Sequence, residues 1–156
     1  MSSLRPIGAE DKDRLTRFHS RLSADTRYRR YHGAKGELTR RDLVYLTEID
    51  GRDHVAVVAE CGDGELGGVA RVVSNGDGTA EVAVVVADDC RGEGIGESVV
   101  AEAIERYAAN RCDDHVLAHV QADNRAALRL FVRRLGGRAV RYEDGVAIVR
   151  VPTPAS

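Results

Sequence analysis

The chain has 156 residues, of which 43% are hydrophobic and 31% charged, and its formal net charge is −2. This length is enough for one domain with its own core, and the composition excludes a chain that is mainly disordered. A net charge this close to zero gives no reason to expect binding to nucleic acid or to an anionic membrane surface.

Hydrophobic periodicity and turn signals divide the first half of the chain into helices and strands. Leu15, Phe18 and Leu22 recur at helical spacing, and Thr39 with Asp42 forms the capping-box pattern that opens a helix. The predicted elements are a strand at 4–7, helices at 9–22, 23–31 and 39–48, and strands at 54–60, 65–74 and 79–87.

The second half alternates strands with helices before it closes on a hairpin. Its predicted elements are a helix at 95–110, a strand at 115–120, a helix at 124–136 and strands at 138–142 and 146–151. Hairpins followed by strand–helix crossovers predict an α/β fold with a mixed sheet and helices on both faces. We expect residues 1–151 to form a single domain and residues 152–156 a short disordered tail.

The cysteines and the N-terminus predict a cytoplasmic protein. Cys61, Cys90 and Cys112 are odd in number and lack paired metal-ligand spacing, so we expect reduced thiols and no metal site. The N-terminal residues contain no signal-peptide core, and no apolar run approaches the about 18 residues that a membrane helix needs.

The most informative segment joins the strand at 79–87 to the helix that begins at Ile95. Residues Arg91 to Gly96 read Arg-x-x-Gly-x-Gly. The glycines leave backbone N–H groups accessible, and Arg91 and the helix dipole add positive charge. This pattern predicts an anion site suited to a pyrophosphate.

Other glycine-rich patterns fit this segment less well. A P-loop would end in Gly-Lys-Ser/Thr, whereas this segment continues to Glu97 with no lysine. A dinucleotide-binding fingerprint would have Gly-x-Gly-x-x-Gly spacing near the start of a βαβ unit. A glycine-rich connection without any ligand is the remaining alternative.

At these residues the chain resembles the GCN5-related N-acetyltransferase (GNAT) superfamily, whose acetyl-CoA loop has the pattern found at Arg91 to Gly96. A second motif of that family is similar to the segment from Asn124 to Gly136. The resemblance implies a GNAT fold, with a mostly antiparallel mixed sheet whose fourth and fifth strands splay apart. It implies acetyl-CoA as cosubstrate. It also makes a homodimer possible, since GNAT domains often form dimers.

The resemblance also assigns the cosubstrate site. Pantetheine is expected in the gap between the splayed strands, hydrogen-bonded to backbone groups of the fourth strand. Asn124 fits a cofactor contact and equally a helix N-cap. The residues expected to bind acetyl-CoA are Val84, Val85, Val86, Arg91, Gly92, Glu93, Gly94, Ile95, Gly96, Glu97 and Asn124.

Glu81 is the candidate catalytic residue, because a general base must deprotonate an ammonium before it attacks a thioester. It lies in an apolar strand on the face of Ala83 and Val85, where burial would make its carboxylate a stronger base. An exposed carboxylate at a strand start is the structural alternative. His119 is the second-choice base, and the tyrosine that acts as acid in the family is replaced by Phe131.

A finer resemblance concerns the acceptor. Arg5-Pro-Ile7 and Arg27-Tyr-x-Arg-Tyr31 are similar to the acetyltransferase domain of bacterial Pat-type protein lysine acetyltransferases. The resemblance implies an acetyl-CoA-dependent N-acetyltransferase that acts by direct attack, with a protein lysine as acceptor. The alternatives are a small-molecule amine acetyltransferase and a catalytically silent acyl-CoA-binding module.

Overall fold

A seven-stranded sheet with the order β1-β2-β3-β4-β5-β7-β6 forms the centre of the molecule in a computed structural model. The structure describes residues 3–22, 38–87, 90, 94–109, 111 and 115–154. The strands are β1 Ser3–Pro6, β2 His54–Glu60, β3 Leu66–Ser74, β4 Ala80–Val86, β5 His115–Gln121, β6 Arg138–Glu143 and β7 Val146–Pro152. All neighbours are antiparallel except β4 and β5, which are parallel.

Four helices are present in the described part of the chain. A 3-10 turn at Ala9–Asp11 leads into α1, and the last helix changes its hydrogen-bonding pattern after one turn. The helices are α1 Lys12–Ser20, α2 Arg40–Thr47, α3 Ile95–Ala108 and α4, which is α-helical over Arg125–Leu128 and π-helical over Arg129–Arg134. None of them is long and apolar enough to cross a membrane.

The predicted α/β class and mixed sheet are confirmed. Leu15, Phe18 and Leu22 are buried, as the helical spacing predicts. The capping box also forms, because the Asp42 amide donates to Thr39 Oγ1 at 3.1 Å and the Thr39 amide donates to Asp42 Oδ2 at 2.8 Å. The predicted helix at 23–31 lies outside the described residues. At the end of the chain, Pro152 still belongs to β7, and the last two residues of the predicted tail lie outside the described residues.

Helices cover both faces of the sheet. Successive strand residues point to opposite faces, so Gly68 and Val69 face different layers. A β-carbon on Gly68 would lie 2.6 Å from Ile95 Cγ2 of α3, whereas Val69 lines a small cavity with Phe18 of α1. Thus α3 packs on one face with α4 beside it, and α1 and α2 cover the other.

The only parallel pair of neighbouring strands in the described sheet is also the one that separates. β4 and β5 pair at Glu81 with Leu117 and at Val82 with Ala118. β4 continues to Val86 in register with β3, and β5 continues to Gln121 in register with β7. The splayed fourth and fifth strands are therefore confirmed, and their divergence opens a gap in the middle of the sheet.

Candidate active site

A cleft of about 810 Å³ begins where β4 and β5 separate. This volume lies in the upper half of the range usual for small-molecule sites. Strand β4, the N-terminal end of α3 and one side of α4 along its length enclose it. Its lining residues are Val84, Val86, Cys90, Gly94, Ile95, Gly96, Glu97, Asn124, Ala126, Ala127, Arg129, Leu130, Arg133 and Arg134.

The N-terminus of α3 forms one wall of the cleft. Gly94 is its N-cap, with φ of +76°, a left-handed conformation that suits glycine. The amides of the first turn have no carbonyl partner inside the helix, so they present donors and the positive end of the dipole. A β-carbon on Gly96 would lie 3.4 Å from Val86 Cγ2, an ordinary van der Waals distance, so this first turn of α3 packs directly against β4. Arg91, Gly92 and Glu93 of the predicted loop lie outside the described residues.

The three valines of β4 do not all face the cleft. The side chains of Val84 and Val86 line it, while Val85 is 8% exposed and lines the small cavity beneath α1 and α2. Only the backbone of Val85 can therefore reach a ligand in the cleft. Beyond Val82, the β4 edge that faces β5 pairs with none of the described strands, which leaves its backbone groups available.

Asn124 has the dual position that its sequence context predicts. Its side-chain Oδ1 accepts a hydrogen bond from the Ala127 amide at 3.2 Å, which caps α4. The same residue lines the cleft. The cap is present in the structure, and a cofactor contact remains a prediction.

Three exposed arginines of α4 line the cleft, and the sequence reasoning did not identify them: Arg129, Arg133 and Arg134. The second part of α4 has π-helical hydrogen bonds, such as that from the Leu135 amide to the Leu130 carbonyl at 3.1 Å. This pattern brings residues five apart onto the same side of the helix. Arg129 and Arg134 have this separation. The three guanidinium groups outnumber the carboxylate of Glu97 in the lining of the cleft. The lining is therefore positively charged and fits a polyanionic ligand.

Glu81 lies at the opening of the gap, in β4 immediately before the last residue that pairs with β5. Its side chain is 44% exposed, so the predicted burial of this carboxylate is wrong. The strand alternation places it on the face of α1 and α2, away from the cleft lined by Val84 and Val86. Its Oε1 contacts Nδ1 of His119 on β5, whose side chain is 33% exposed.

Phe131 occupies the position at which the family's second motif carries a tyrosine. It is 3% exposed and belongs to the hydrophobic core, and it does not line the cleft. Its ring has no proton to donate. Cys61 and Cys90 are present as thiols, and Cys112 lies outside the described residues. The absence of a metal site remains a prediction.

The comparisons with known proteins decide the family. The model of the acetyltransferase (GNAT) family matches residues 17–136. The chain belongs to the GNAT acetyltransferase family. The acetyltransferase Pat of Mycolicibacterium smegmatis is 36% identical over 157 aligned residues, which cover 97% of this chain and 45% of that protein.

Solved GNAT structures agree with this assignment. The GNAT domain of S. lividans PAT has a TM-score of 0.87 and 28% identity, with 97% of this chain and 90% of that chain covered. A phosphinothricin acetyltransferase from Sinorhizobium meliloti, solved with acetyl-CoA, has a TM-score of 0.74 and 21% identity, with 97% and 88% covered. That second likeness shows the fold alone.

Membership of the GNAT family confirms the predicted class of enzyme, acetyltransferases that use acetyl-CoA. The resemblance to Pat proteins is also confirmed. The chain spans about half the length of the curated relatives it matches. Its acceptor and its catalytic residues are therefore matters for proposal.

Proposed function

We propose that this domain transfers the acetyl group of acetyl-CoA to the side-chain amine of a protein lysine, with Glu81 as general base. The observation that carries the proposal is the position of Glu81 at the point where β4 and β5 separate. A ligand that entered the gap from the cleft side would present its reactive end there, on the opposite face from its phosphates. The carboxylate would then meet an acceptor that arrived from the side of α1 and α2.

The groups that line the cleft fit acetyl-CoA. CoA ends in a pyrophosphate and a ribose phosphate, which match the amides of the α3 N-terminus and the arginines of α4. Its pantetheine arm carries amide groups, which match the unpaired β4 backbone beside Val84 and Val86. Acetyl-CoA supplies the activated thioester, and the protein supplies orientation and a base.

Direct transfer needs few groups from the protein. The carboxylate of Glu81, directly or through a water molecule, accepts a proton from the lysine ammonium. The neutral nitrogen attacks the thioester carbon, so a C–N bond forms and the C–S bond breaks. The electron pair of the C–S bond leaves on sulfur as the CoA thiolate, and this thiolate takes up the second proton that the nitrogen must lose to become an amide. A thiol ionises readily near neutral pH, so the reaction can proceed although Phe131 supplies no acid.

The resemblance of this sequence to Pat-type protein lysine acetyltransferases favours a protein lysine over a small amine. Nearly the whole of this chain matches part of the Pat protein of M. smegmatis. The chain also contains Arg5-Pro-Ile7, which is typical of the start of Pat-type domains. The second part of that resemblance, Arg27-Tyr-x-Arg-Tyr31, lies outside the described residues. Support for the acceptor therefore comes from the relatives and the sequence, and support for the base comes from the geometry.

An acceptor panel tests the proposal. Purified protein and acetyl-CoA are incubated with lysine peptides, with the same peptides carrying acetyl-lysine, and with free amines including spermidine, and the release of CoA thiol is measured. We expect turnover on lysine peptides only. Glu81→Gln should lower kcat by roughly 100-fold or more, since a positioned general base contributes at least that factor, and leave the Kd for acetyl-CoA unchanged.

Other outcomes have definite meanings. Turnover on spermidine but not on peptides would replace the lysine acceptor by a small amine. Binding of acetyl-CoA without turnover on any amine would identify a silent acyl-CoA-binding module. A Glu81→Gln variant with normal kcat would remove Glu81 from the mechanism.

A further inference from the structure

We propose that His119 is a positioning residue for Glu81: its imidazole holds the carboxylate at the point where β4 and β5 separate. This inference rests on the proposed role of Glu81 as general base. It adds a second residue to the reaction, one whose side chain acts through Glu81 and need not touch the substrate. The contact between His119 Nδ1 and Glu81 Oε1 carries the inference.

The register of the two parallel strands explains why this contact forms. Leu117 pairs with Glu81, and Ala118 pairs with Val82, which is the last pair before the strands separate. His119 is the next residue of β5, and alternation places it on the same face as Leu117 and Glu81. Its side chain therefore crosses diagonally to Glu81 at the start of the gap. On the other side of Leu117, His115 is the corresponding residue of the same face of β5.

Strand β7 holds the backbone of His119 on the side away from β4. His119 pairs with Ile148, which is 4% exposed, in an unbroken antiparallel register that runs from His115 to Gln121. The backbone of His119 is thus anchored by β7 although β4 has already diverged. The imidazole is held between a rigid strand and the carboxylate, which limits the motion of both side chains.

The surroundings of Glu81 leave its orientation to His119. Its pair on β3 is Val73 and its pair on β5 is Leu117, and both are apolar. Among the residues that the structure describes, His119 is the polar side chain in contact with Glu81. Without it, a carboxylate that is 44% exposed would sample several rotamers, and the cost of orienting it would enter the barrier of the reaction.

The contact also selects the tautomer of His119. An ionised carboxylate only accepts hydrogen bonds, so the Nδ1 atom that contacts Oε1 must carry hydrogen. The second carboxylate oxygen, Oε2, is then left for the amine or for a bridging water. Both side chains are partly exposed, which gives an acceptor access to that oxygen.

Kinetics on three variants test the role. His119→Ala removes the donor, and we expect kcat to fall about 10- to 100-fold with the Kd for acetyl-CoA unchanged. His119→Asn places an amide N–H near the position of Nδ1 and should recover most of the loss. His115→Ala removes a histidine from the same face of β5, four residues before His119, and should leave kcat within twofold.

A double-mutant cycle separates positioning from independent action. A positioning residue has nothing to position once the base is gone, so Glu81→Gln with His119→Ala should lose no more than Glu81→Gln alone. Additive losses would overturn the inference. If Glu81→Gln is inactive and His119→Ala is normal, the inference fails while the proposed function stands. If His119→Ala is inactive and Glu81→Gln is normal, His119 is itself the base and both assignments fail.

A spectroscopic measurement tests the contact even if no turnover is found. At pH 8, where a free imidazole is neutral, the ¹⁵N shifts of the His119 ring report which nitrogen carries hydrogen. We expect hydrogen on Nδ1 in the wild type and a shift toward the Nε2–H tautomer in Glu81→Val, with His119→Asn used for assignment. Identical ring shifts in the wild type and Glu81→Val would overturn the inference.

Discussion

Asp11 shows how a single buried charge is stabilised near the start of α1. Its side chain is fully buried, and both of its oxygens accept from Arg5, Oδ2 from Nη1 at 2.8 Å and Oδ1 from Nη2 at 2.7 Å. The Gly8 amide donates to Oδ2 at 2.8 Å as well. Burial alone would raise the pKa of Asp11, but these hydrogen bonds and the charge of Arg5 outweigh it and hold that pKa below its ordinary value.

We expect this carboxylate to contribute stability that is lost in acid. The pKa in the folded state lies below that in the unfolded chain, so the contribution is complete above about pH 4 and disappears as the pH falls through the folded-state pKa. At pH 7, Asp11→Asn should lower the free energy of unfolding by about 2–3 kcal/mol, less than for a wholly buried pair because the Arg5 side chain is 28% exposed.

Urea unfolding from pH 7 down to pH 3 measures this difference. The exposed Asp13, two residues away, provides the control, since Asp13→Asn should change the free energy of unfolding by less than about 0.5 kcal/mol. A difference in the free energy of unfolding between wild type and Asp11→Asn that stays constant from pH 7 to pH 3 would contradict the assignment.

At the scale of elements, the contact between β3 and α3 positions the cleft. A β-carbon on Gly68 would lie 2.6 Å from Ile95 Cγ2, closer than real β-carbons approach. Gly68 therefore sets how near the first turn of α3 comes to the sheet. Because that turn supplies the amides proposed to bind phosphate, a change at Gly68 should affect both stability and ligand binding.

Substitution of Gly68 should move the α3 N-terminus outward. We expect Gly68→Ala to lower the free energy of unfolding by about 1–3 kcal/mol, the usual cost of overpacking, and to weaken acetyl-CoA binding. A loss of about 1.4 kcal/mol in phosphate contacts corresponds to a tenfold higher Kd. Isothermal titration with acetyl-CoA measures the second effect.

Gly62 offers the matched control for this experiment. A β-carbon there would meet nothing within 4 Å, and its backbone is not left-handed. Gly62→Ala should therefore leave both the stability and the Kd near the wild-type values. Wild-type affinity in Gly68→Ala would mean that the position of the first turn of α3 does not determine acetyl-CoA binding.

The π-helical part of α4 shows a limit of local sequence patterns. The sequence predicts one helix from 124 to 136, and the structure contains a helix there, but its hydrogen bonds change at Arg129. A π-helix depends on tertiary packing, here of Phe131 into the core, and has no residue signature of its own. The arginines that this geometry directs into the cleft were missed for the same reason.

For the whole molecule, the sequence was sufficient for the sheet and for the class of site. Hydrophobic alternation and turn residues predicted the strands, and the glycine-rich segment predicted which helix N-terminus lines the cleft. Glu81 and His119 were each predicted as candidate bases, but their contact depends on a parallel register between strands far apart in sequence. The exposure of Glu81 depends on the same divergence of β4 and β5, which no local pattern encodes.

Ligand binding to the whole domain is measurable as a change in thermal stability. A ligand that binds only the folded state at 100 times its Kd adds about 2.7 kcal/mol to the free energy of unfolding. For a domain of this size that corresponds to a rise in Tm of about 5–10 °C. We expect such a rise with acetyl-CoA for the wild type, because helix amides and three arginines line the same cleft.

Two charge reversals make the titration specific. Arg91→Glu changes the predicted pyrophosphate loop and should abolish the rise in Tm. Arg138→Glu makes the same change in charge on β6, outside the cleft, and should leave the rise intact. Equal losses in both variants would indicate a general electrostatic effect of the protein surface. A wild-type Tm that is insensitive to millimolar acetyl-CoA would mean that the glycine-rich segment is only a structural connection, and the proposed chemistry at Glu81 would have no thioester to act on.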